Sequence, residues 1–162
     1  MLHTASTITQ SRSASFAAQF DNLLGLGNRI PLSLIQLTAR LAIAHVFWNS
    51  AQSKLASWPV TLQLFTMEYN VPLLSPAVAA PLATATELGG AVLPILGLLT
   101  RLGALALLGV VAVIQLFVYP GNWGEHLMWA SLLLFLLGRG AGKISLDYLA
   151  HRWFLSVCPE TC

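Results

Sequence analysis

The chain has 162 residues, of which 56% are hydrophobic and only 9% charged, and its formal net charge is +2. Soluble domains carry about 25% charged residues, so this composition excludes an ordinary soluble fold. The small net charge, with no basic patch or recognition motif, excludes a nucleic-acid partner. Residues 1–30 form a polar lead that contains no apolar signal-peptide core before Leu23. Its Ser-rich, acid-poor start with Arg12 leaves an organellar transit peptide as the lesser alternative to a cytoplasmic segment. Within it Phe16, Phe20, Leu23 and Leu24 recur at helical spacing, which predicts a short interfacial helix.

Residues 31–143 carry four apolar stretches, Pro31 to Ser57, Val78 to Leu99, Leu102 to Tyr119 and Trp123 to Leu137. A membrane span needs about 20 apolar residues, so the expected fold is all-α, an integral membrane four-helix bundle with short interfacial helices at both ends. Between the first two stretches Pro72 and Pro76 break helix, while Val60 to Tyr69 can form a short helix lying on the surface. Thr100-Arg101 is too short a link for anything but an antiparallel hairpin. Tyr119-Pro120-Gly121-Asn122 supplies turn geometry. Residues 144–162 begin with Ser145 as a helix cap and continue as an amphipathic helix with Leu146, Leu149, Ala150, Trp153 and Val157 on one stripe. With both termini cytoplasmic, Arg12, Arg29, Arg101, Arg139, Lys143 and Arg152 lie inside and Lys54 outside, as the positive-inside rule asks. Trp48, Trp58, Tyr69, Tyr119 and Trp123 then mark the outer interface.

Polar groups within these stretches are the candidate site, because a charge in hydrocarbon costs roughly 2.5–3.5 kcal/mol and stays only when paired or used. At about 1.5 Å per residue, His45, Glu87, Gln115, Glu125 and His126 fall at one depth, with Arg40 a little lower. This predicts a ligand-binding layer of Arg40, His45, Glu87, Gln115, Glu125 and His126, an Arg40–Glu87 ion pair, and a shared pocket for His45, Glu87 and His126. A quinone fits such a layer, since its carbonyl needs a donor in an otherwise apolar pocket. Two histidines at similar depth are also a geometry for axial haem ligation, the lesser alternative. Ala83, Gly90 and Gly97 allow close backbone approach on the second stretch, and Pro81 and Pro94 loosen it around Glu87. No metal site is expected; Cys158 and Cys162 are the nearest approach to one, and a structural zinc needs four ligands.

Over about Leu37 to Tyr148 these residues resemble the DoxX family of small four-helix membrane proteins. The resemblance rests on Arg40 with Ser50-Ala51-Gln52-Ser53-Lys54, on Glu87-Leu88-Gly89-Gly90 through Gly97-Leu98-Leu99-Thr100-Arg101, and on the Gly-rich exit Gly138 to Lys143 followed by Ser145-Leu146-Asp147. The run Tyr119 to Trp129 is similar to one bacterial subgroup, encoded near multinuclear iron oxygenases and metal-stress peptides. The family takes its name from a subunit of thiosulfate:quinone oxidoreductase. The resemblance therefore implies a bacterial inner-membrane protein of redox or metal-stress physiology that binds a quinone or similar molecule and serves a soluble oxidoreductase or metal-handling partner. A non-catalytic scaffold recruiting a soluble partner through residues 145–162, and a small homo-oligomeric transporter or channel, are the competing readings.

Overall fold

Helix follows helix through the described part of the chain, which in this computed structural model comprises Gly25 and residues 30–69, 71–72 and 74–157. The interfacial helix expected around Phe16 to Leu24, and the cysteines Cys158 and Cys162, lie outside the described residues. The chain divides into two compact units, Met1–Leu32 and Ser33–Cys162, and the packing below belongs to the second.

The helices are α1 Leu32–Ala56, α2 Trp58–Leu64, α3 Pro76–Leu96, α4 Thr100–Val113, α5 Trp123–Arg139 and α6 Leu146–Val157. Single π-helical turns, Phe65–Tyr69 and Ile114–Val118, prolong α2 and α4. The four long helices thus sit where the apolar stretches predict them, and the all-α class holds. Two of them, Pro76–Leu96 and Thr100–Val118, are long and apolar enough to cross a membrane. α1 has the length, at 25 residues, but is more polar. α5 has only 17 residues.

Local chemistry sets the ends. Ser57 is extended (φ −149°) and separates α1 from α2, whose first turn holds Pro59. α3 ends on Gly97 at φ +65°, where Leu98 N–H reaches Leu93 C=O (3.0 Å) and Gly97 N–H reaches Pro94 C=O (3.1 Å). These are the paired bonds of a left-handed helix terminus. Ser145 caps α6 as expected, accepting from Tyr148 N–H at 3.2 Å.

The core is a ladder of apolar side chains. Ile43 and Phe47 of α1, Ala91 of α3, Leu107 of α4, and Leu133 and Leu136 of α5 are all buried in it. Gly90 lets α3 and α4 approach: a Cβ there would lie 2.5 Å from Leu107.

At the opposite end from α2, side chains of α1 tie three chain segments together. Arg40 is buried, and its guanidinium donates to four carbonyls: Nε to Pro94 (2.6 Å), Nη2 to Ile95 (3.0 Å), and Nη1 to Ala141 (2.9 Å) and Ile144 (2.6 Å). Two of these acceptors are orphan carbonyls at the end of α3, where a cation is favoured by the helix dipole. One turn earlier, Gln36 donates to the Arg139 and Gly140 carbonyls at the end of α5 (3.0 and 3.2 Å). Asp147 completes the knot. Its carboxylate accepts from Leu99 N–H (3.0 Å) at the start of α4, while its own N–H donates to Gly97 (3.0 Å).

Candidate functional site

Toward the α2 end the helices part around a cavity of about 620 Å³. Phe47 and Lys54 of α1, Phe65 after α2, Glu87 of α3, Val110 of α4 and His126 of α5 all reach its wall, which is mainly aliphatic and aromatic. Ligand pockets run from roughly 300 to 1,000 Å³. Both π-helical turns contribute to the wall, and such turns recur at functional sites because they redirect side chains out of helical register.

Lys54 and Glu87 form the buried ion pair of this cavity. Lys54 Nζ lies 2.8 Å from Glu87 Oε2 and 3.0 Å from Oε1, and 2.8 Å from Ser50 Oγ one turn below it. An ammonium has three N–H donors, and these three acceptors use them all. The Glu87 side chain is 1% exposed and that of Lys54 15%. The expected Arg40–Glu87 pair therefore does not form. Side chains on a helix lean toward its N-terminus. α1 and α3 run in opposite directions, so Arg40 leans away from Glu87 into the carbonyl knot, whereas Lys54 and Glu87 lean toward each other.

His126 is the second polar feature, 3% exposed in the wall. Its Nδ1 lies 2.6 Å from Gln115 Oε1, and Gln115 Nε2 donates to the Pro120 carbonyl at 2.8 Å. A proline carbonyl can only accept, so the Gln115 amide nitrogen must face it. Its oxygen then faces His126, and Nδ1 must be the donor. In the neutral ring that leaves Nε2 as a bare acceptor with no partner among the described residues. The ring packs against Trp129 at 5.3 Å, and Trp129 meets Phe47 edge to face.

The remaining polar groups border this layer. Tyr119 O–H donates to Glu68 Oε1 at 2.8 Å, and that bond together with burial holds the phenol above the usual tyrosine range. Tyr69 meets Tyr119 edge to face at 6.1 Å. Glu125 is exposed and accepts from Asn122 Nδ2 at 3.0 Å.

Three of the expected site residues, Glu87, Glu125 and His126, thus share one cavity wall. Gln115 stands behind His126 and orients it. Arg40 belongs to the knot. His45 does not join the pocket: it is exposed and shares a 3.1 Å hydrogen bond with Asn49. The reason is rotation. His45 is two residues from both Ile43 and Phe47, so it points out of the face opposite to them. It therefore cannot pair with His126 around a haem in this chain. Lys54 and Ser50 are the pocket residues that depth counting overlooked, because Lys54 reads as an outer-loop charge. Their i, i+4 spacing, which stacks Ser50 beneath Lys54 on one helix face, is the signal that would have found them. Among the described residues, no three His, Cys, Asp or Glu side chains gather as a metal site would require.

No curated protein and no solved structure matches the chain. Residues 35–120, just over half of the sequence, match the DoxX profile. That segment holds Arg40 and the Lys54–Glu87 pair, and it contains both helices able to cross a membrane. The chain belongs to the DoxX family of membrane proteins.

Proposed function

We propose that this protein is a four-span bacterial inner-membrane protein of redox or metal-stress physiology, with both termini in the cytoplasm. Its cavity binds a quinone-class molecule, and it serves a partner oxidoreductase. The observation that carries this reading is the cavity itself: about 620 Å³, mainly apolar, with His126 in its wall. That volume suits a substituted ring with part of an isoprenoid tail. The Lys54 donors are already engaged, so His126 is the group available to the polar end of a ligand. With Nδ1 occupied, a neutral His126 accepts from a hydroxyl, which favours the hydroquinone over the quinone. Six Lys and Arg residues on the inner side against Lys54 support the orientation.

The test is mass spectrometry of small molecules retained through mild-detergent purification, followed by titration of emptied protein with a short-chain quinone and with its hydroquinone. A retained quinone, and binding of the hydroquinone that His126→Leu weakens about tenfold, is the expected result; such a loss is the scale of one good hydrogen bond. Binding of neither form overturns the reading.

A scaffold role is the second reading. The observation favouring it is α6, whose Leu146, Leu149 and Phe154 are exposed. A soluble partner lost on deleting residues 149–162, with no ligand in the cavity, is the outcome that selects it.

A further inference from the structure

The inner face of α1 is accounted for by the core, the knot and the cavity. Its outer face carries a second pattern. Thr38, Ala42, His45, Asn49, Gln52 and Ala56 recur at spacings of four and three, and all six are exposed. This is a heptad seam. At about 100° per residue its centre lies about 180° from the stripe of Gln36, Arg40, Ile43, Phe47 and Ala51, all of them buried. The seam thus points directly away from the other described helices.

Its depth makes this costly in lipid. The Arg40 bonds to Pro94 and Ile95 set that level of α1 beside the end of α3. His45 and Asn49 follow five and nine positions later, about 8 and 14 Å along the axis, while α3 itself runs about 31 Å. Both residues therefore lie alongside the middle of a helix able to cross the membrane. Their mutual bond of 3.1 Å leaves the Asn49 carbonyl and one amide N–H unengaged. Hydrocarbon offers these groups nothing, and polar side chains in spans face protein or a wet cavity.

We propose that this face is the contact between two copies of the chain, packed α1 against α1 about a two-fold axis along the membrane normal. The inference rests on the reading of α1 as a span. Two copies with one topology cross the bilayer in the same direction, so each seam residue meets its own counterpart. The seam suits that arrangement. Asn49 and Gln52 each keep a donor and an acceptor, so each is complementary to itself, and no Lys, Arg, Asp or Glu in the seam sets like charges together. Ala42 and Ala56 permit close approach, as small residues do at helix contacts in membranes.

The test uses the full chain in native membranes, with Cys158→Ser and Cys162→Ser as background. Single Ala42→Cys, Asn49→Cys and Ala56→Cys variants are oxidised and compared with Leu105→Cys and Leu134→Cys, which are exposed on α4 and α5. Disulfide-linked dimers of twice 17.4 kDa at the α1 positions, and none at the controls, are expected. Association of the Asn49→Leu variant, followed by energy transfer between labelled copies in liposomes, should be about tenfold weaker, the scale of an interhelical hydrogen bond. Leucine suits either lipid or core, so this variant remains a folding control. Dimers at the controls as readily as at the seam, an unlinked monomer throughout, or linkage to a different protein each overturns the proposal. Aqueous maleimide separates the two readings. Free labelling of Asn49→Cys in sealed membranes removes α1 as a span, whereas a shielded but unlinked cysteine removes the dimer alone.

Discussion

At the scale of single residues, the polar groups within this bundle divide by whether the protein itself uses up their hydrogen-bonding capacity. Lys54 spends its three donors on Ser50 and Glu87. Removing one partner strands a buried charge, so Lys54→Met or Glu87→Leu should each cost roughly 3–5 kcal/mol in detergent melts. The double variant should cost less than the sum of the two, which a double-mutant cycle reads directly. His126 differs in keeping one ring nitrogen unengaged. Gln115→Leu leaves the cavity lining intact but strips Nδ1 of its partner, so hydroquinone binding should fall about tenfold, a loss of about 1.4 kcal/mol, and the stranded buried N–H should lower stability by about 1–3 kcal/mol in detergent melts. Tyr119 gives a pH signature. Its phenol, raised from 10.0 by the bond to Glu68 and by burial, keeps its proton in the folded chain after an unfolded tyrosine has lost it. The stabilisation is complete below pH 10 and is lost as pH rises beyond that value through the folded one. The stability difference between wild type and Tyr119→Phe should therefore shrink only in alkaline melts.

At the scale of elements, the polar residues at the end of the bundle opposite α2 are explained by helix termini rather than by ligand chemistry. Arg40 and Asp147 satisfy the orphan carbonyls and amides where α3 ends and α4 begins, and the glycines make room for them. A Cβ on Gly97 would lie 2.5 Å from Ser145 Cβ and 2.8 Å from Arg40 Nη2, in a backbone at φ +65°. Gly97→Ala should thus destabilise by more than the roughly 1 kcal/mol of a simple left-handed penalty, measured by thermal unfolding in detergent. Arg40→Lys is not conservative here, because three donors on one nitrogen cannot reach four carbonyls spread across a planar fork. It should cost roughly 1.5–3 kcal/mol for each bond lost, and leave a quinone in the cavity bound as before. That last measurement separates the knot from the site.

At the scale of the whole molecule, the bundle is closed by hydrogen bonds at one end and open around a cavity toward the other. The mixed character of α1 follows from this arrangement. Its inner stripe supplies Gln36 and Arg40 to the knot and Lys54 to the cavity, while its outer stripe carries His45 and Asn49. α1 is long enough to cross a membrane but more polar than Pro76–Leu96 and Thr100–Val118. Topology is the matching prediction: thiol reagents that cannot cross the membrane should label Cys158 and Cys162 only from the cytoplasmic side. Labelling from the outer side alone would reverse the orientation.

Composition and periodicity were sufficient for the helical class, for the positions of the long helices and for the Ser145 cap, and they picked out Glu87, Glu125 and His126, which share one cavity wall. These depend on local chemistry: apolar run length, turn residues, capping and rise per residue. The polar layer was legible as a depth because rise is constant along a helix. Its pairings were not, since they depend on helix rotation and on the direction in which side chains lean, which only packed neighbours decide. That is why Glu87 meets Lys54 rather than Arg40, why His45 faces outward while His126 lines the cavity, and why a glutamine eleven residues away from His126 determines which of its nitrogens is free.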